Sequence, residues 1–191
     1  DNRHADMVVD AANGGVKAVM CEKPLATSME DANRMIEACE DNGVPLSVGH
    51  TKSWDPMYHK IRDVVRDGEI GQVKSITATM GGPRAMLFRN GTHRIHGLVF
   101  FADSEPTHVM GLLEEGFDHW DEYRGDGGKV PEQEPGVTGI IRFANGVRAY
   151  FDCTKNALDT SSITITGTTG RITFVLQSGM ATLESEGEGG D

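Results

Sequence analysis

Residues Val16 to Thr27 read VKAVMCEKPLAT. The stretch opens as an apolar run, Val16, Ala18, Val19, Met20 and Cys21, with Gly14-Gly15 before it and Pro24 after it. A run this short between turn residues predicts a buried strand of a parallel sheet over 16–21, not a helix. Glu22, Lys23 and Pro24 at its carboxyl end do not belong in a core. Pro24 has no backbone donor and restricts Lys23 to extended geometry, so the strand stops there. In open α/β sheets, ligands bind outside the carboxyl ends of the strands. An acid and a base at that edge are therefore candidates for a site; their other role is a solvated strand cap.

Outward from this strand the pattern is regular. Ala5, Val8, Val9 and Ala12 recur at i, i+3, i+4, i+7 and predict an amphipathic helix over 3–13, stopped by Asn13-Gly14-Gly15. On the other side, Thr27-Ser28-Met29-Glu30 has the form of a capping box, with Thr27 as cap and Glu30 reaching back. Ala32, Met35, Ile36 and Cys39 continue as an apolar stripe up to Gly43, and Pro45 to Gly49 read as a second short strand. Helix, strand, helix, strand is the back half of a doubly wound α/β sheet.

Beyond residue 51 the period changes. Asp55 caps a helix with Pro56 in its first turn and Met57, Ile61 and Val64 facing inward. Gln72 to Met80 reads as a strand, broken by Gly81-Gly82-Pro83. Ile95, Leu98, Val99 and Ala102 set the inward face of another helix, and Thr107 to Leu113 reads as a strand. Residues 114–135 form a long acidic loop with Phe117, Trp120 and Tyr123 interspersed. Val147 to Thr154 alternates as a strand after Asn145-Gly146, which predicts a type I′ hairpin turn. Ser162–Thr166 and Ile172–Leu176 flank Gly167 to Gly170 as a further hairpin. This part reads as an α+β domain whose largely antiparallel sheet has helices on one face. The expected organisation is residues 1–51 as the C-terminal half of a dinucleotide-binding Rossmann domain, 52–185 as an α+β substrate and oligomerisation domain, and 186–191 as a flexible tail.

Composition narrows the function classes. The 191 residues carry a formal charge of −11, which argues against nucleic-acid and anionic-membrane partners. No apolar run approaches the ~20 residues of a membrane span. Cys21, Cys39 and Cys153 are far apart and in apolar company, which suits reduced thiols of the cytoplasm better than disulfides or zinc ligands. His93 and His96, three apart on a predicted helix, lack the carboxylate or thiolate that would complete a metal set, so no metal is expected.

The element CEKPLA, set between two helical patterns, resembles its counterpart in the glucose-fructose oxidoreductase/inositol dehydrogenase/rhizopine catabolism (Gfo/Idh/MocA) family. VGHTKSWDPMY (Val48 to Tyr58), DGEIGQVKSI (Asp67 to Ile76) and NGTHRIHGLVFF (Asn90 to Phe101) resemble further family elements, in the family's order and spacing. The resemblance implies an NAD- or NADP-dependent oxidoreductase acting on a sugar or polyol. It implies that Lys23 is the catalytic acid/base, that Glu22 lies beside the nicotinamide end of the cofactor, and that His93, in the motif Gly91-Thr92-His93, is catalytic or substrate-binding. His4 matches a family histidine before the strand and joins Glu22 and Lys23 as a candidate for cofactor binding. Arg89, Trp54 and Lys52 are candidates for substrate binding; Arg89 suits a carboxylate or phosphate, and Trp54 suits packing between the two parts better than stacking on a substrate. Asp1, where the family usually has Asn, is expected to fray.

Two positions depart from the pattern. Arg89 and His96 stand where many members have Asp, so a relay of Lys, Asp and His is incomplete. That keeps open a sugar- or dinucleotide-sensing relative without turnover; a further reading, implied by the resemblance because the family contains such enzymes, is a glycosidase that oxidises the sugar only transiently. No G-x-G-x-x-G follows a strand; in the family it lies upstream of the element matching residue 1. The chain is therefore expected to be a fragment, inactive alone, that forms homo-oligomers through the open face of its antiparallel sheet.

Overall fold

The computed structural model describes residues 1–120, 123–125 and 129–185. The tail 186–191 and residues 126–128 of the glycine-rich loop lie outside the described residues.

The first part is α1 (His4–Asn13), β1 (Val19–Cys21), α2 (Met29–Asp41) and β2 (Leu46–Val48). β1 and β2 are parallel and adjacent, Val19 opposite Leu46 and Cys21 opposite Val48. Ala5, Val8, Ala12, Met35 and Cys39 of the two helices pack with Cys21 into a small core. The expected buried strand over 16–21 is shorter and half-covered: only Val19–Cys21 pairs, and Met20 is 63% exposed. Both helices lie on one face of this pair, so every second side chain of β1 points away from apolar cover. Ser28, not Thr27, caps α2. Ser28 has the extended backbone that a cap needs, and its hydroxyl accepts from Asp31 N at 3.1 Å.

A 3₁₀ turn, Thr51–Trp54, leads into α3 (Pro56–Arg66), capped as expected by the Asp55 side chain accepting from Met57 N at 2.9 Å. β3 (Ser75–Gly81) follows, then a π-helical turn Leu87–Gly91 that runs into α4 (Thr92–Ala102). β4 (Pro106–Leu113), β5 (Val137–Phe143), β6 (Arg148–Thr154), β7 (Ser161–Thr166), β8 (Gly170–Val175) and β9 (Met180–Ser185) complete the chain. The second sheet has seven strands in the order β4-β5-β6-β3-β7-β8-β9. All its pairs are antiparallel except β3 with β6. Gly81 belongs to β3 rather than to a linker, and β9 carries no pattern that marked it in the sequence.

α3 and α4 cover one face of this sheet. Tyr58 and Ile61 of α3 and Leu98, Phe101 and Ala102 of α4 pack on Ile76, Ala78, Ala149, Phe151, Ile163 and Ile165. Val99 is not inward as its spacing suggested; it is exposed, and Arg94 and Gly97 take the inner face instead. The reason is close approach: a Cβ on Gly97 would lie 3.2 Å from Ile163 Cδ1 and 3.6 Å from the Tyr58 hydroxyl, so the helix docks along its glycine edge. The turn at Asn145-Gly146 is not type I′, which needs positive φ at both residues. Gly146 has φ +86° and Asn145 is not among the residues of positive φ. Gly146 N donates to Phe143 O and Phe143 N to Val147 O, a three-residue loop that ends in a left-handed glycine.

Candidate active site

β1 and β2 stop together at the edge where their backbones turn out. Gly49 N donates to Cys21 O at 2.7 Å. A Cβ at Gly49 would sit 3.3 Å from Cys21 O and 3.4 Å from Glu22 Oε1, so a bare backbone here keeps Glu22 close to the strand end. Glu22 is exposed and its Oε2 accepts from Lys23 N at 3.2 Å. The Lys23–Pro24 peptide is cis. His4 lies behind this loop, with Nδ1 3.0 Å from Pro24 O and 3.3 Å from Leu25 O. Asp1 is tied rather than frayed: its carboxylate accepts from the Tyr123 hydroxyl and its ammonium donates to Gly125 O at 3.3 Å.

The other wall comes from the π-helical turn. Gly91 N reaches back to Met86 O at 2.8 Å. A Cβ on Gly91 would lie 2.9 Å from that oxygen and 3.4 Å from Cys153 Sγ, so only glycine fits here. The turn is held from beneath by Glu134, 2% exposed, whose Oε1 accepts from Phe88 N and from Arg89 N at 2.8 Å. Leu87 N donates to Pro135 O at 2.9 Å, and Phe88 stacks on Tyr123 at 4.4 Å between ring centres. The acidic loop therefore packs against the site at these points. Such π turns occur disproportionately at functional sites because they re-aim a side chain or carbonyl.

Here the re-aimed group is the Arg89 carbonyl, which accepts a hydrogen bond from Lys23 Nζ. Lys23 thus spans from the strand end to the π turn. Burial lowers its pKa, and the charges of Arg89 and Arg84 lower it further, against Glu22 and Glu134, which raise it. A lysine so treated yields its neutral base closer to neutral pH.

Three histidines line the same cleft. His50, just past β2, stacks face to face on His96 at 4.4 Å and meets His93 edge-on at 5.8 Å. His50 Nε2 lies 3.0 Å from Thr92 Oγ1. His50 and His93 both fall from 6.5 to about 4, first through burial, then through neighbouring positive charge that includes Lys23. His96 is lowered by burial. All three rings are thus neutral donors and acceptors at neutral pH. His93 Nδ1 is buried without a hydrogen-bond partner among the described residues.

Of the residues singled out in the sequence, Lys23, Arg89 and His93 converge, and Glu22 flanks them. His4 braces the loop from behind. Lys52 lies in the adjoining 3₁₀ turn, and Trp54 is 51% exposed. His50, Thr92 and Glu134 were not singled out. His50 carried one usable signal, its place two residues beyond the second strand in Val48-Gly49-His50. Among the described residues no group of His, Cys, Asp and Glu is arranged to hold a metal ion, and no helix is long and apolar enough to cross a membrane.

A parallel α/β pair whose strand ends present a lysine to a second, open-sheet part is the architecture on which the comparisons bear. Residues 1–50 match the family described as "Oxidoreductase family, NAD-binding Rossmann fold", and residues 58–173 match the GFO/IDH/MocA C-terminal domain. The chain belongs to the GFO/IDH/MocA family. It is 28% identical over 182 residues to myo-inositol 2-dehydrogenase of Thermotoga maritima, a match that takes in 90% of this chain and 53% of that protein. It is 28% identical over 165 residues to inositol 2-dehydrogenase of Rhizobium meliloti, or 81% of this chain and 48% of that protein. It spans about half the length of both. In fold it is similar to an inositol dehydrogenase homolog from Azotobacter vinelandii in complex with NADH and myo-inositol, with TM-score 0.79, 15% identity, 98% of this chain and 52% of that one.

Proposed function

We propose that these residues form the catalytic edge and substrate side of an enzyme that transfers a hydride between a CH–OH group of a sugar or polyol and NAD or NADP, with Lys23 as acid/base. The observation that carries this is the convergence of Lys23, its proton affinity lowered, with His93 in one cleft at the carboxyl edge of β1. The residues fit a nicotinamide there: Gly49 lets Glu22 lie close against the strand end, and Lys23 stands beside it. When bound, the nicotinamide supplies the hydride acceptor.

Lys23 takes the hydroxyl proton in oxidation and returns it in reduction. The Arg89 carbonyl accepts from its ammonium form and holds Nζ at the mouth of the cleft. Neutral His93 presents its ring to the reacting oxygen or its neighbour, and the His50–His96 stack and Thr92 fix the wall beside it. His4 keeps the 24–25 loop in register with the cofactor edge. Lys52 and Trp54 extend the rim toward the substrate.

The same reading includes a homo-oligomer in the cytoplasm. The helix-free sheet face presents Met110, Leu112 and Ile140, all exposed, beside Tyr150, and a second copy is the natural cover. The three buried free cysteines agree with a reducing compartment.

The test uses a protein carrying these residues together with a complete dinucleotide-binding half. Supplied with NAD or NADP and a panel of polyols and sugars, it is expected to produce reduced cofactor in net amounts. Cleavage of a glycoside with no net reduction, or binding with no turnover at all, contradicts the reading.

A further inference from the structure

The π turn Leu87–Gly91 is secured through its amides, and three of them are taken by one remote segment. Leu87 N donates to Pro135 O at 2.9 Å. Phe88 N and Arg89 N both donate to Glu134 Oε1, the second at 2.8 Å. Asn90 N and Gly91 N close on Met86 O at 3.3 and 2.8 Å. The first amides of a helix have no acceptor within it, so one must come from elsewhere. A carboxylate serves well, because its charge strengthens the hydrogen bonds and sits at the positive end of the helix. Glu134 is 2% exposed, so these bonds form away from bulk water, where an unmade hydrogen bond is costly.

Glu134 is in turn fixed by Lys155, whose side chain is 7% exposed. An ammonium has three protons to donate. Lys155 Nζ lies 2.7 Å from Glu134 O, 2.8 Å from Pro131 O and 2.9 Å from Glu114 Oε2, so all three are engaged. Glu114 Oε2 also accepts from Gly136 N at 2.9 Å. The backbone before and after Glu134 is therefore pinned, and its carboxylate is held beneath the turn. Arg89 links this network to the cleft: its N–H donates to Glu134 and its carbonyl accepts from Lys23 Nζ. Both groups belong to one residue, so a shift of the N–H moves the carbonyl with it. Without the Glu134 oxygen two amides lose their acceptor, and the turn finds another only by rearranging.

We propose that Glu134 is a positioning residue: through the amides of Phe88 and Arg89 it aims the Arg89 carbonyl at Lys23, and so sets where the amine stands in the cleft, with Lys155 holding Glu134 in place. This rests on the reading of Lys23 as acid/base given above, and the first test needs no turnover. In the isotope-labelled chain, at a pH where the amine is protonated, NMR reads the hydrogen bond as a scalar coupling between Lys23 Nζ and the Arg89 carbonyl carbon. The coupling is expected in the parent and in Glu134→Gln, which keeps a carbonyl oxygen for the two amides. It is expected to vanish in Glu134→Ala. Glu134→Asp keeps the charge but withdraws the oxygen by about 1.5 Å; it is expected to lose the coupling too, and decides the matter where the alanine variant does not fold. In the larger protein with a complete dinucleotide-binding half, Glu134→Ala is expected to lower kcat by about ten- to a hundredfold, the scale of a misplaced reacting group, with KM for the cofactor unchanged. Glu134→Gln is expected to restore most of that loss. Absence of the coupling from the parent, or its persistence in the shortened variants, overturns the proposal. So does a Glu134→Gln variant as slow as Glu134→Ala, which would make the carboxylate itself a participant. Full turnover in Lys23→Ala would instead overturn the acid/base reading and leave the coupling result standing.

Discussion

Lys23 and His93 were legible in the sequence, for different reasons. Lys23 is marked locally, by an apolar run that Pro24 cuts short with a charge at its end. His93 is marked only by resemblance, because its own surroundings fit a surface histidine as well. His50 was not legible as a partner. It meets Thr92, His93 and His96 across more than forty residues of chain, and no local pattern encodes that. The histidine cluster has a measurable signature. His50 and His93 release their protons at about 4 in the folded chain, against 6.5 when unfolded. Between those values the unfolded chain binds more protons, so folding stability rises with pH across the window and is lost as pH falls through it. Urea unfolding midpoints are expected to decline from pH 6.5 to pH 4, and less so in a His50→Gln, His93→Gln double variant. A midpoint as sensitive in that variant as in the parent would show that these rings are not buried neutral.

Helices and strands were read correctly where two signals agreed and missed where only one spoke. α3 carried a cap, a proline in its first turn and an apolar stripe, and all three hold. At α2 two neighbouring hydroxyls could each cap, and the choice is set by which residue has extended backbone; that is Ser28. Ser28→Ala is therefore expected to cost about 1 kcal/mol of stability, and Thr27→Ala much less. Thermal unfolding of the two variants checks this, and a larger loss from Thr27→Ala would restore the capping box first expected. The inner face of α4 was misread because apolar spacing alone ignores the small residue that allows close docking. The turn at residues 144–146 was misread because the dipeptide fixes which residue tolerates positive φ, while loop length depends on how Phe143 and Val147 pair.

At the level of the whole chain, the two parts differ in cover. The seven-stranded sheet buries a core closed by two helices. The first part buries its strands on one side only, with two strands of three residues each. Local opening follows local burial. Hydrogen exchange is expected to be faster at the amides of β1 and β2 than at those of β3, β6 and β7, and uniform protection would show that the first part is as well supported as the second.

Both parts meet at the Lys23 amine, and its role is the centre of the proposed chemistry. The most direct measurement is the turnover of Lys23→Ala in a protein that carries these residues with a complete dinucleotide-binding half, alongside its affinity for the reduced cofactor. Loss of general acid–base assistance lowers kcat by about 10²–10⁴-fold, while cofactor affinity stays near that of the parent because the phosphate-binding elements are untouched. Turnover within a few-fold of the parent would contradict the assignment of Lys23 as the group that moves the proton.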